Sequence, residues 1–169
     1  GRGVVPRIDG SQVDGVDAIT MAEDSQRFEN QRGGWLLQEG FEAAAIMSTG
    51  LAAEIENSGR ITTTADGAHA IVSMGDDATI GNWGSLETQG DAAAALIAAG
   101  LGSRSRNGGS ILASGDGASG VILDGAGGLI ENLGTIETTG LASSGLIIGD
   151  DGDGATITNS GSIAVPLDG

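Results

Sequence analysis

Few residues in this chain carry groups able to do chemistry, and most of them are carboxylates. Asp66, Asp91 and Asp116 recur at intervals of 25 residues. If that interval is structural, the three carboxylates stack about 5 Å apart, where they repel unless water or a cation lies between them. The stretch Asp150-Asp151-Gly152-Asp153-Gly154 is rich in oxygen donors of the kind calcium takes, so Asp150, Asp151 and Asp153 form a candidate calcium set. It follows neither the EF-hand loop nor the calcium-binding nonapeptide repeat, and a solvated acidic turn explains it as well. The single histidine, His69, has no second His or Cys near it in the repeat frame, which argues against a metal or catalytic role. Trp35 and Trp83 each adjoin a glycine expected to face inward, so both indoles should sit outside or at a corner. There they could stack on a sugar or anchor an interface, or lie flat over a neighbouring turn. Glycosidase or lyase chemistry needs paired carboxylates or a base on long loops over one face. The chain has no Lys, no long loop and no clustered acid pair, so no catalytic residue is nominated.

What must position these residues is a repeat. The motif N-x-G-x-[Ile/Leu] begins at Asn57, Asn82, Asn107, Asn132 and Asn159, at intervals of 25, 25, 25 and 27 residues. A stretched copy begins at Asn30, where Gln31-Arg32-Gly33-Gly34 is two residues longer than its counterparts. A fixed period of this length is the signature of a solenoid. Three apolar stations recur: Leu36, Ile61, Leu86, Ile111, Ile136 and Ile163; Ile19, Ile46, Ile71, Leu96, Val121 and Leu146; and Phe28, Ile55, Ile80, Ser105, Ile130 and Ile157. Each is a burst of one to three apolar residues bounded by Gly, Ala, Ser, Asp and Asn, which reads as short strands and turns rather than helix. Three strands per repeat make one coil of an all-β parallel solenoid, with about six coils of 25–27 residues stacked about 4.8 Å apart into a core on the order of 30 Å long. Residues 14–169 carry the repeat. Residues 1–13 are expected as an N-terminal edge segment, in which Val4, Val5 and Ile8 form a strand that Pro6 confines to a margin. The two residues added near the end fall in the turn between Leu146 and Ile157, where a solenoid tolerates insertion.

The register gives each row a meaning. Asn30, Asn57, Asn82, Asn107, Asn132 and Asn159 should stack as a structural ladder of side-chain amides. Beside the second station runs another aliphatic row, Met47, Val72, Ile97, Ile122 and Ile147. Neighbours on a strand face opposite sides, so this row should form an outward stripe suited to an interface, unless a bend tucks both rows inside. Thr63, Thr88 and Thr138 share a further row, interrupted by Ala113 and flanked by Glu87 and Glu137, which raises the idea of an ice-binding face.

Composition fits a thin rod. Aromatic residues are 2% of the chain, too few for a core built on large rings, while Gly is 32 residues and Pro 2. With 23 acidic and 7 basic residues the net charge is −16, which excludes a basic nucleic-acid surface and disfavours an anionic membrane. There is no Cys, so no disulfide or thiolate site, and no apolar run of transmembrane length. The first residues, Gly1-Arg2-Gly3-Val4-Val5, do not have a signal-peptide layout.

The frame of Asn132-Leu133-Gly134-Thr135-Ile136-Glu137-Thr138-Thr139-Gly140, then Ala142-Ser143-Ser144-Gly145-Leu146-Ile147-Ile148, then Ala155-Thr156-Ile157-Thr158-Asn159, resembles the repeats of bacterial autotransporter passengers and related large surface proteins. The likeness covers residues 14–165. It implies a right-handed parallel β-helix outside a bacterial cell, and it is specific for fold rather than function. The expected role is a non-enzymatic extracellular rod, a fibre or biofilm-matrix subunit that assembles with itself end to end through uncapped coils and laterally through the stripe. The alternative is a passenger segment of an adhesin that binds a host receptor or a carbohydrate. A polysaccharide-active β-helix enzyme is the remote third. No cofactor is expected apart from the candidate calcium.

Overall fold

The computed structural model describes residues 17–167, so the edge strand expected from Val4, Val5 and Ile8, and the start of the register at Asp14, lie outside the described residues. Eighteen strands follow in order. The first coil is β1 (Ile19–Met21), β2 (Arg27–Asn30) and β3 (Trp35–Gln38). The second is β4 (Ile46–Ser48), β5 (Glu54–Asn57) and β6 (Arg60–Thr63), and the third β7 (Ile71–Ser73), β8 (Thr79–Asn82) and β9 (Ser85–Thr88). The fourth is β10 (Ala94–Ala98), β11 (Arg104–Asn107) and β12 (Ser110–Ala113), and the fifth β13 (Ser119–Leu123), β14 (Leu129–Asn132) and β15 (Thr135–Thr138). The sixth is β16 (Ser144–Ile148), β17 (Thr156–Asn159) and β18 (Ser162–Ala164). Every third strand pairs in parallel, giving three six-stranded sheets: β1-β4-β7-β10-β13-β16, β2-β5-β8-β11-β14-β17 and β3-β6-β9-β12-β15-β18. These are the first, second and third sides of a right-handed parallel β-solenoid.

All three stations point inward. Ile19, Ile46, Ile71, Leu96 and Val121 are stacked in register on the first side, with Phe28, Ile55, Ile80 and Ile130 on the second and Leu36, Ile61, Leu86, Ile111 and Ile136 on the third. Ser105 holds the aliphatic place between Ile80 and Ile130, and its buried hydroxyl has no hydrogen-bond partner. The Thr row also points inward: Thr63, Thr88 and Thr138 are buried two residues past Ile61, Leu86 and Ile136, as a period of two requires. This corrects the ice-binding idea, because the row presents no face to solvent.

The corner between the second and third sides is held by asparagine. Each Asn Nδ2 donates to the Oδ1 of the next Asn at 2.8 Å, in all five steps from Asn30 to Asn159. The second Nδ2 proton reaches a backbone carbonyl on the far side of the corner, for Asn82 that of Ser110 at 3.2 Å. The backbone carbonyl of Asn57 accepts from both Trp83 N–H (2.7 Å) and Gly84 N–H (3.0 Å). Gly84 belongs here because a Cβ at that position would lie 2.0 Å from the carbonyl oxygen of Gly59.

The other two corners use one turn form whose third residue is left-handed, for example Glu42, Ala92 and Ala142 on one and Ala52 and Asp77 on the other. That conformation costs a non-glycine residue about 1 kcal/mol. It also aims the backbone N–H along the axis, so that Ala52 donates to the carbonyl of Asp76 and Ala92 to that of Asp116, each at 2.8 Å.

Two opposite outcomes follow for stability. Asn82→Asp puts an acceptor where two donated bonds are needed and leaves the Asn107 Oδ1 unpaired, so the urea midpoint should fall by the equivalent of roughly 2–4 kcal/mol. Ser105→Val removes a buried unpaired hydroxyl and restores the aliphatic ladder, and should raise stability by about 1–2 kcal/mol in the same measurement.

Candidate functional site

The first side differs chemically from the other two. Its strands read ITM, IMS, IVS, AALIA, SGVIL and SGLII, and none holds a charged residue. The second side reads RFEN, EIEN, TIGN, RSRN, LIEN and TITN. Met47, Val72, Ile97, Ile122 and Ile147 are aligned across the first side, with Thr20 as their first neighbour. They lie between two inward rows. The aliphatic row lies on the opposite face from Ile71 and Ser73, and the residues brought into the core at the bend are Ala45 and Ala70, just ahead of β4 and β7, and Ala95 near the start of β10, rather than the second aliphatic row. The row is half-buried rather than openly exposed, and Val72 retains 4% of its surface.

More open apolar groups stand on the turns that flank this side. Phe41 and Leu141 are exposed at the turn entering it and Leu51 and Leu101 at the turn leaving it, where Met74 is exposed as well. Sequence reading missed these four turn residues. Their signal was an apolar residue directly after a turn glycine, as in Gly40-Phe41 and Gly50-Leu51.

Ile19, Phe28 and Leu36 in the first coil are only 1–3% exposed. In the last coil Ile163 is 38% exposed, and Leu146 and Ile157 are only partly buried. Among the described residues, β1, β2 and β3 in the first coil and β16, β17 and β18 in the last each have one strand neighbour.

The carboxylates find structural partners. Asp66 Oδ1 accepts the Asp91 N–H at 3.0 Å, Asp91 that of Asp116 at 2.8 Å, and Asp116 that of Leu141 at 2.8 Å. Asp24 and Asp76 do the same for Leu51 and Leu101. Each carboxylate thus ties a turn to the next coil, a use that repulsion arguments from sequence did not reveal. The added turn of residues 149–154 stands at the corner after β16, with Asp151 N–H 3.3 Å from Asp124 Oδ1. Among the described residues no group of three or more His, Asp or Glu side chains, Asp150, Asp151 and Asp153 included, is placed to hold a metal ion.

Both indoles are 46% exposed and outside the core. Trp35 begins β3, beside Arg60. Trp83 sits at the asparagine corner, its Nε1 donating to Glu56 Oε2 at 2.9 Å and the Arg106 guanidinium 5.2 Å from its ring centroid. Arg60–Glu87 at 2.6 Å and Arg106–Glu131 at 3.1 Å run between adjacent coils, whereas Arg27–Glu29 at 3.4 Å lies within β2. A hydrogen bond from Gln89, and then Arg60, hold the Glu87 carboxyl below its ordinary range. These groups are exposed, and such pairs contribute at most about 1 kcal/mol. No helix among the described residues is long and apolar enough to cross a membrane.

His69 lies beside the first side, half-buried, with Nδ1 accepting the Ala94 N–H at 2.9 Å. Burial lowers its pKa from the ordinary 6.5. The unfolded chain therefore takes up a proton at a higher pH than the native one. His69 leaves stability unchanged above the unfolded value and costs stability as pH falls from there toward the folded value. The drop in melting temperature between about pH 7 and about pH 5.5 should shrink in His69→Gln relative to the parent, read by paired thermal melts. Compared with family models, curated proteins and solved structures, the chain matches none of them.

Proposed function

We propose that this chain is a non-enzymatic structural rod of the bacterial exterior, a fibre or matrix subunit that assembles with copies of itself. The observation that carries the reading is the first side, whose strands hold no charged residue and align an aliphatic row along the rod axis. The uncharged first side, with its aliphatic row and the flanking Phe41, Leu51, Leu101 and Leu141, supplies lateral contact. The exterior location rests on the likeness of the repeats to autotransporter passengers. The same likeness, together with the exposed Trp83, favours an adhesin passenger as second reading. The non-catalytic character is supported by the use of Asp66, Asp91 and Asp116 as axial backbone acceptors.

Negative-stain microscopy and sedimentation of the purified chain test this. The expected result is concentration-dependent filaments that bundle side by side. Ile122→Asp should release the bundles into single filaments. A monodisperse monomer at high concentration sinks the self-assembly reading and leaves the passenger reading.

A further inference from the structure

We infer that the outer face of the second side holds a subsite for one pyranose ring of a neutral polysaccharide, centred on Gly81 and Trp83. The outward row of that side runs Glu29, Glu56, Gly81, Arg106, Glu131 and Thr158. Only at Gly81 does it lack a side chain, and there a recess of about 300 Å³ opens, at the small end of ligand-sized cavities. Glu56 and Arg106 wall the recess along the axis, and Trp83 closes it at the corner.

Two glycines that the repeat does not require make this arrangement possible. Gly81 stands where other coils carry Glu, Arg or Thr, and a Cβ there would lie 2.5 Å from the Glu56 carboxylate. Gly108 stands where other coils have Ser58, Leu133 or Ser160, and a Cβ there would lie 2.3 Å from the six-membered ring of Trp83. The indole therefore rests on the backbone of the next coil while its Nε1 fixes Glu56 and Arg106 stacks on the ring, itself held by Glu131 at 3.1 Å. Every polar wall is oriented before any ligand arrives, which lowers the ordering cost of binding.

The chemistry matches a sugar ring. A pyranose presents an apolar C–H face and a rim of hydroxyls. The exposed part of the indole suits the former, and a carboxylate acceptor beside guanidinium donors suits the latter. Arg104, on the rim, makes no ion pair among the described residues, so its donors are open to a ligand. Glu56, Glu131, Arg104 and Arg106 sum to zero charge, whereas the whole chain carries −16. The long-range field thus repels polyanions, while the recess itself has no charge preference that would exclude a neutral sugar. The subsite does not depend on self-assembly.

The test uses Trp35→Phe protein, in which Trp83 is the single indole, titrated with maltohexaose, cellohexaose, mannohexaose and an alginate hexamer while its fluorescence is followed. At least one neutral hexasaccharide should give a saturable change. Saturation-transfer NMR with that sugar should then show about tenfold weaker binding, the equivalent of 1.4 kcal/mol, for Trp83→Ala. Gly81→Gln should lose binding to the same extent with little change in melting temperature, because its side chain meets only the carboxylate end of Glu56, which must move and give up the exposed bond from Trp83 Nε1. Absence of a response to all the neutral hexasaccharides, tighter binding of the alginate hexamer, or binding that survives Gly81→Gln would each overturn the assignment.

Discussion

Everything in this molecule depends on the parallel backbone hydrogen bond between one coil and the next. It sets a separation of about 4.8 Å along the rod and places each residue directly against its homologue one repeat away. Any group that cannot tolerate a copy of itself at that distance is excluded from the interior. Aliphatic side chains tolerate it by dispersion contact, and an asparagine amide does so because it is donor and acceptor at once: Asn57 gives to Asn82 and receives from Asn30, both at 2.8 Å. A buried carboxylate has no such complementarity. The acids are accordingly on outward strand positions and on the turns, where Asp91 meets the N–H of Asp116 rather than its carboxylate. Even the left-handed turn residues obey the same rule, since their cost of about 1 kcal/mol is offset by an axial N–H bond that keeps the ladder continuous round the corner.

That constraint explains why so much of the fold could be read from the chain. A row of identical inward residues leaves a fixed interval in the sequence, so the stations at Ile61, Ile71 and Ile80, the Asn ladder and the added turn after Ile148 were all legible. The error with Thr63, Thr88 and Thr138 was one of phase. They stand two residues after an inward aliphatic, which already assigns them to the same face. The first side was ambiguous for a different reason. Alternation holds within a strand, but Ala45 and Ala70 precede it at a bend, and a residue as small as Ala gives no sequence sign of which way it turns.

The outward features were less legible because they belong to no single repeat. The bond from Trp83 to Glu56 spans 27 residues, and its geometry depends on Gly81 and Gly108, each notable only as a departure from its row. A motif search values what recurs. On a solenoid the recurring residues keep the rod together, and the exceptions on its outer face are where specificity can be built. The axial use of Asp66 and Asp116 was hidden similarly: within one repeat each is an ordinary turn acid, and only its neighbour one coil on supplies the donor.

The charge distribution then decides which side can approach another molecule. With a net charge of −16, two rods repel at distances beyond contact, and salt shortens that range to about 8–10 Å at physiological strength. Within that range the sides are not equivalent. The second side carries Arg and Glu side by side in one outward row, as at Arg106 and Glu131, whose hydration opposes dry contact. The strands of the first side hold no charge, so little desolvation cost resists its apolar row there. The acidic turns beside it, with Asp66, Asp91 and Asp116 each engaged in an axial bond, confine close approach to a narrow strip along the rod axis. In the lateral packing proposed above, contact along that strip would align the axes of neighbouring rods, because a tilted rod would bring acidic corners together before the aliphatic rows could meet.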